Sequence, residues 1–330
     1  MTIETKFTAT FSKLGFSDLI IVSGRLSIAD LFPKSRKRCG IYLLGLSDNL
    51  FYIGQAVDVV RRFAQHHKNY DDLCLFSFQP IPEQSLNTTE RGLIQEAEQL
   101  GVPLVNRVHV SNIIGETDLD FIMPVSEQEE WLQNNDTVDD TAIRVRAYVD
   151  DVARQRYKHK FQRFQSLSEA SSISSLYQTY VHFCVPAFRR TEFSFWSLSC
   201  LPDTNKSTWP RYACLSINSM ETFVIGHVKQ QPQNIWAFIN VAEAPVAETY
   251  GDADSFYKAH PNTSLERTAY RAGGGDQLHI EITSFAQAQH LLEDPTIINA
   301  AKLLNLRLMR KGGTIYSRFH SFALADLVVN

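Results

Sequence analysis

Short apolar runs separated by turn formers fill the first third of the chain. Gly40 to Leu46 (GIYLLGL) and Leu50 to Gly54 (LFYIG) read as strands, and Ser47, Asp48 and Asn49 between them are turn formers. The two runs are therefore expected to close as a β-hairpin. From Asp58 to His67 the apolar period becomes helical, with Val59, Val60, Phe63 and Ala64 on one side. Leu73 to Phe78 is a third strand, ended by Pro80 and Pro82. Asn87 or Thr88 can cap a helix that buries Leu93, Ile94, Ala97 and Leu100 and stops at Gly101 and Pro103. Val105 to Val108 is extended again. The order β-β-α-β-α predicts a small mixed β-sheet with helices packed on it, an α+β fold.

The rest of the chain differs in character. Residues 1–36 hold short apolar runs and look like an N-terminal extension packed on the unit formed by 37–111. Residues 112–140 are acidic, whereas Thr141 to Leu167 is helical and cationic, with Arg144, Arg146, Arg154, Arg156, Lys158, Lys160 and Arg163. Together, 112–167 read as an acidic connector and a basic helix. Aromatic-rich strand-like runs follow (Thr191 to Leu201, Ala213 to Ile217, Thr222 to Val228, Asn234 to Val241), then helices over Ser284 to Leu292 and Pro295 to Leu306. Residues 168–330 are thus a second α+β domain, suited to target recognition or to forming a homodimer.

Composition narrows the classes. A chain of 330 residues exceeds one ordinary domain, given the usual ~100–200 residues each. Its net charge of -4 gives no support for an extended phosphate-binding surface, so nucleic acid would have to be met by local patches. The five cysteines are scattered without a C-x-x-C pair, which argues against a zinc finger or a disulfide framework and suits a reducing cytoplasm. Apolar runs such as Leu19 to Val22 are strand-sized, far short of the ~18 residues a bilayer span needs. No membrane partner is expected.

The chemistry lies in the hairpin. Gly40-Ile41-Tyr42 precedes Tyr52-Ile53-Gly54; Arg62 follows on the first helix, and His66 lies one turn on, on the same face. Glu90 opens the next helix and Asn106 falls in the closing extended segment. These residues, in this order, resemble the GIY-YIG nuclease superfamily; the resemblance covers this module only, about a quarter of the chain. It implies a metal-dependent endonuclease, a hydrolase of phosphodiester bonds. Glu90 would hold Mg²⁺ (or Mn²⁺) with phosphate and water, and Arg62 would grip the scissile phosphate. Tyr42 would orient or deprotonate the attacking water, with His66 sharing its proton. Tyr52 would hold the phosphate or the leaving group, and Asn106 would orient its neighbours.

Further cations are candidates for nucleic-acid binding: Lys34, Arg36, Lys37 and Arg38 before the motif, Arg61 within it, and Arg154, Arg156, Lys158 and Lys160 in the basic helix. A solvated connector and an exposed charged helix are the plainer readings of both groups. Arg189-Arg190, Trp209-Pro210-Arg211 and the Gly273-Gly274-Gly275-Asp276 turn are better read as structural. The partner is DNA, with RNA open because phosphate chemistry is shared. Restriction or anti-phage defence is the preferred role, because neither zinc fingers nor helix-hairpin-helix units are present. The alternatives are an RNA-cleaving effector, a repair or structure-specific nuclease, and a non-catalytic nucleic-acid-binding protein.

Overall fold

The computed structural model describes residues 5–16, 18–134 and 151–330, and the side chains of Thr5, Lys6, Ala153, Arg154 and Gln233 are outside that description. Arg144, Arg146 and the first part of the expected basic helix lie outside the described residues. The protein is α+β, and the chain divides into two compact units, Met1–Gly115 and Glu116–Asn330.

The first unit comprises α1 (Thr5–Lys13), β1 (Ile20–Ile21), β2 (Gly40–Gly45), β3 (Phe51–Ala56), α2 (Val59–His66), β4 (Leu75–Pro80) and α3 (Leu86–Gln99). Its sheet has the order β1-β4-β2-β3 with antiparallel ladders. The parallel element of the expected mixed sheet is a single bridge, Phe51 to Leu104. Both faces of β2 are covered, so all its residues are buried. Ile41 and Leu43 pack with Ile94 and Ala97 of α3 and Phe11 of α1 on one face; Tyr42 and Leu44 pack with Val59 and Phe63 of α2 on the other. This two-sided burial sends alternate residues of one hairpin to two helices.

Local sequence explains the helix ends. Asp58 caps α2 by accepting from Val60 N and Arg61 N. Helix α3 starts earlier than the Asn87 or Thr88 cap would place it: a 3-10 turn over Glu83–Ser85 begins the rotation, and Ser85 is the N-cap residue. Glu90 therefore stands in the second turn of α3, beyond the first-turn amides where an acidic side chain complements the dipole.

The second unit comprises α4 (Val125–Gln133), α5 (Asp151–Gln155), α6 (Lys158–Gln165), α7 (Ala170–Cys184), α8 (Phe188–Thr191), β5 (Trp196–Cys200), β6 (Arg211–Ile217), β7 (Met220–Val228) and β8 (Gln231–Val241). Then follow α9 (Glu243–Tyr250), α10 (Ala253–Ala259), β9 (Ser264–Arg267), β10 (Leu278–Ile282), α11 (Phe285–Glu293), α12 (Pro295–Arg310) and α13 (Phe322–Val329). The strands form one antiparallel sheet in the order β5-β6-β7-β8-β10-β9. Leu198, Leu215, Phe223, Ile239 and Ile280 bury one face against the helices. The opposite face carries Cys214, Val224 and Phe238 amid polar residues.

Two expectations are revised here. The acidic connector is part of this unit as far as Asn134: Leu119, Met123 and Trp131 are buried in its core, and Asp120 and Glu127 pair with Arg310 and Arg190. Among its described residues the basic helix is broken between α5 and α6, where Tyr157 adopts a left-handed conformation (φ 67°). Among the described residues no helix is long and apolar enough to cross a membrane.

Candidate active site

The hairpin register sets Tyr42 opposite Gly54. A Cβ at Gly54 would lie 2.4 Å from the Tyr42 hydroxyl oxygen, so only glycine leaves room for that ring. Tyr42 and Tyr52 stack with centroids 6.1 Å apart on the face of the sheet that meets α2. The α2 residues Arg62 and His66, one turn apart, reach the same place.

There the polar atoms form a directed chain. Arg62 Nε donates to the Tyr42 hydroxyl over 3.2 Å, and that hydroxyl lies 2.7 Å from His66 Nε2. We assign the Tyr42 hydrogen to the bond with His66 Nε2, the direction that the Nδ1-protonated tautomer of the histidine requires. That Nδ1 is a buried atom with no partner. Tyr52 and Tyr70 flank the imidazole, with centroids 4.8 and 5.9 Å away.

Burial governs the protonation states. It pushes the Tyr42 hydroxyl well above the ordinary tyrosine range, and the adjacent Tyr52 adds to this, while Arg62 pulls the other way. Tyr52 is raised in the same sense, again chiefly by burial. Burial and the positive charge of Arg62 together hold His66 down to about 4. At neutral pH the site thus contains two neutral tyrosines, a neutral histidine and a permanent cation.

Glu90 approaches by a different route. It projects from α3 beside β3, the edge strand, and is 8% exposed. Gln55 bridges the two elements: its Nε2 donates to Glu90 Oε2 at 2.9 Å and to Asn87 Oδ1 at 2.7 Å. The negative charge of Glu90 raises both tyrosine hydroxyls while Arg62 lowers them, so the carboxylate is within electrostatic range of the α2 cluster. Asn106 serves the backbone instead. Its side-chain amide accepts from Ile53 N (3.1 Å) and donates to Ile53 O (2.7 Å), extending the edge of β3 between Tyr52 and Gly54.

Tyr42, Tyr52, Arg62 and His66 are thus in direct contact on the α2 face, while Glu90 lies beside the edge strand on the α3 side and Asn106 holds that strand's backbone. Gln55 and Asn87 join Glu90; the sequence pattern assigns Gln55 no role and offers Asn87 only as a helix cap. The signal for Gln55 was strand alternation, which turns it from the Tyr52 face to the α3 face; for Asn87 it was a position one turn before Glu90.

The cations taken for nucleic-acid contacts have mixed surroundings. Lys34, Lys37 and Arg61 are exposed. Arg36 lies over the Phe32 ring at 4.6 Å and donates to Leu31 O at 3.0 Å. Arg38 donates to Phe32 O and pairs with Asp58 at 3.4 Å, tying the arm to the start of α2. In the second unit Arg156 donates to Arg318 O at 3.2 Å, Lys158 is exposed, and Lys160 pairs with Asp203 at 3.0 Å.

Among the described residues no three His, Cys, Asp or Glu side chains converge as a metal cage. Two hard oxygen donors nonetheless meet there, the Glu90 carboxylate and the Asn87 amide oxygen, both accepting from the Gln55 amide nitrogen. That suits a cation which keeps most of its water and is completed by substrate phosphate. The chain matches no protein-family model, no curated protein and no solved structure.

Proposed function

We propose that the first unit is a phosphodiesterase centre of the GIY-YIG type, and that the protein is a Mg²⁺-dependent DNA endonuclease. The observation that carries this reading is the chain Arg62–Tyr42–His66 set against the carboxylate of Glu90. Hydrolysis needs a gripped phosphate, a route for the proton of the attacking water and relief of negative charge, and each has a residue here. Arg62, half-buried and always charged, offers its remaining donors to the phosphate. The Tyr42 oxygen takes the proton of the water as its own proton passes to His66 Nε2, along the 2.7 Å contact already present. No free tyrosinate is needed, in keeping with the raised hydroxyl. A bound phosphate offsets the charge of Arg62, one of the two causes that hold His66 down, and so makes the imidazole a better acceptor.

Glu90, with the Asn87 amide oxygen nearby, would hold the cation, which would supply charge neutralisation at the phosphoryl and departing oxygens. Asn106 fixes the backbone between Tyr52 and Gly54. All five cysteines are free, in keeping with a reducing compartment such as the cytoplasm. Restriction or anti-phage defence is the role we attach to the activity.

Supercoiled plasmid and a structured RNA, each incubated with the purified protein and Mg²⁺ or Mn²⁺, test the reading. Metal-dependent loss of supercoiled plasmid, abolished by EDTA, with the RNA left intact is the expected result. Cleavage of the RNA alone would transfer the activity to an RNA effector. Intact substrates under every metal and salt would leave a non-catalytic binding protein.

A further inference from the structure

The polar face of the C-terminal sheet carries a cavity of about 370 Å³ floored by Ser197, Ser199, Cys214 and Ser216, within the ~300–1,000 Å³ of small-ligand sites. Into it faces an ion pair, Arg211 with Glu221. Arg211 is 7% exposed and its Nε is buried without a partner. A buried pair of this kind adds little stability over apolar packing, and the same sheet face is apolar two strands away at Phe238. The fold does not require the charges. A ligand that needs a donor and an acceptor side by side does.

The mouth of the cavity is aromatic. Tyr157 and Tyr316 are half-buried, and Phe319 is 40% exposed with the Arg318 guanidinium 4.6 Å over its ring. A second cavity of about 330 Å³ adjoins the first, and Lys160 and Arg211 line both. Arg163, Lys206 and His227 also line this second cavity, in which no carboxylate takes part. Asp203, from the first cavity, holds Lys160 and Lys206 in place by pairing with each.

Flat rings at the mouth, a guanidinium beside a carboxylate on the floor and a cationic chamber next door are complementary to one kind of molecule. We infer that the second unit binds a nucleotide, its base in the Arg211–Glu221 cavity and its phosphate in the cavity lined by Lys160, Arg163 and Lys206. Every base presents donors and acceptors along one edge and a π-face to stack. A free nucleotide and a base turned out of a nucleic-acid strand share this chemistry. Assigning the strand rests on the nuclease reading of the first unit.

The entry to Arg211 is held by a close backbone approach. A Cβ at Gly226, its partner across β7, would lie 2.4 Å from the Pro210 carbonyl oxygen, which accepts from His227 N at 3.0 Å. The Trp209-Pro210-Arg211 segment is thus seated by glycine, so that Arg211 enters the cavity from the first residue of β6.

Binding is measured on the full chain in EDTA, so that cleavage does not enter, with the four deoxynucleoside monophosphates and with fluorescent single-stranded and mismatched duplex oligonucleotides. Arg211→Met is expected to weaken binding about ten- to a hundredfold. Lys206→Glu is expected to weaken it about three- to tenfold and flatten its salt dependence. Phe319→Ala, at an exposed position, is expected to cost about tenfold with unchanged melting, and it decides the matter if Arg211→Met does not fold. Oligonucleotides binding far more tightly than monophosphates place the base in a strand; monophosphates bound alone overturn the strand. No binding by the parent, or parental binding by folded Phe319→Ala and Lys206→Glu, overturns the site even where plasmid is still cut. Loss of cutting with binding intact counts against the first unit only.

Discussion

The two units place polar groups in opposite ways. In the first, Tyr42, Tyr52, Arg62 and His66 come from one hairpin and the helix that follows it, so strand alternation and one helical turn bring them together. In the second, Arg211, Glu221, Lys160 and Phe319 come from two neighbouring strands, a preceding helix and a late 3-10 turn. The first arrangement is a property of spacing, and the second exists only after the whole sheet has closed. A short motif therefore announces one site and gives no sign of the other.

The largest effect expected within the first unit separates adjacent residues. Arg62→Ala should lower plasmid cleavage by about 10²–10³-fold, the scale for removing one donor to developing charge, whereas exposed Arg61→Ala should change it by less than about threefold. Initial rates on supercoiled plasmid compare them; equal losses would mean that Tyr42 does not fix which arginine acts. Next come the two glycines of close approach. Gly54→Ala crowds the Tyr42 hydroxyl and Gly226→Ala crowds the Pro210 carbonyl, each at about 1–3 kcal/mol of overpacking in its own unit. Denaturant melts, with cleavage and nucleotide binding on the folded fraction, should show cleavage lost in the first and binding lost in the second. Losses of both functions in both variants would erase the distinction between the sites.

A smaller effect follows from His66. Its folded value falls from 6.5 to about 4, so as pH drops the unfolded chain takes up the proton first. The stabilisation is whole above about 6.5 and is lost as pH falls towards about 4, on the order of 2 kcal/mol. Urea melts of the parent and of His66→Gln between pH 7 and 4 measure it; parallel pH slopes would exclude a buried neutral imidazole. The smallest is Asp58→Ala, which removes the α2 cap and the partner of Arg38 and should cost about 1 kcal/mol.

Much of the first unit was legible in the sequence because its signals are local. Turn formers at Ser47–Asn49, the helical period after Asp58 and the breakers Gly101 and Pro103 all act within a few residues of the structure they cause. Glu90 was found, but its surroundings were not: Gln55 matters because β3 is an edge strand, and edge position depends on the whole sheet. Asn87 looked like a cap and instead accepts from Gln55, since the 3-10 turn before it moves the start of α3. In the second unit α7 was hidden by its serines, although Ile173, Leu176, Tyr177 and Tyr180 form a buried stripe. The Glu116–Asn134 segment read as a linker because its acids outnumber its few anchors Leu119, Met123 and Trp131. Trp209-Pro210-Arg211 read as structural because nothing in its spacing shows that Arg211 lines a cavity with Glu221, the next strand's contribution.

The most direct measurement compares the parent chain with Glu90→Ala on supercoiled plasmid in Mg²⁺, with melting followed on the same samples. Glu90 supplies the carboxylate of the cluster and leaves the Arg62–Tyr42–His66 hydrogen bonds untouched. A fall of about a hundredfold or more in the cleavage rate with an unchanged melt is the expected result. A variant that melts like the parent and cuts at the parental rate would contradict a phosphodiesterase centre at this site.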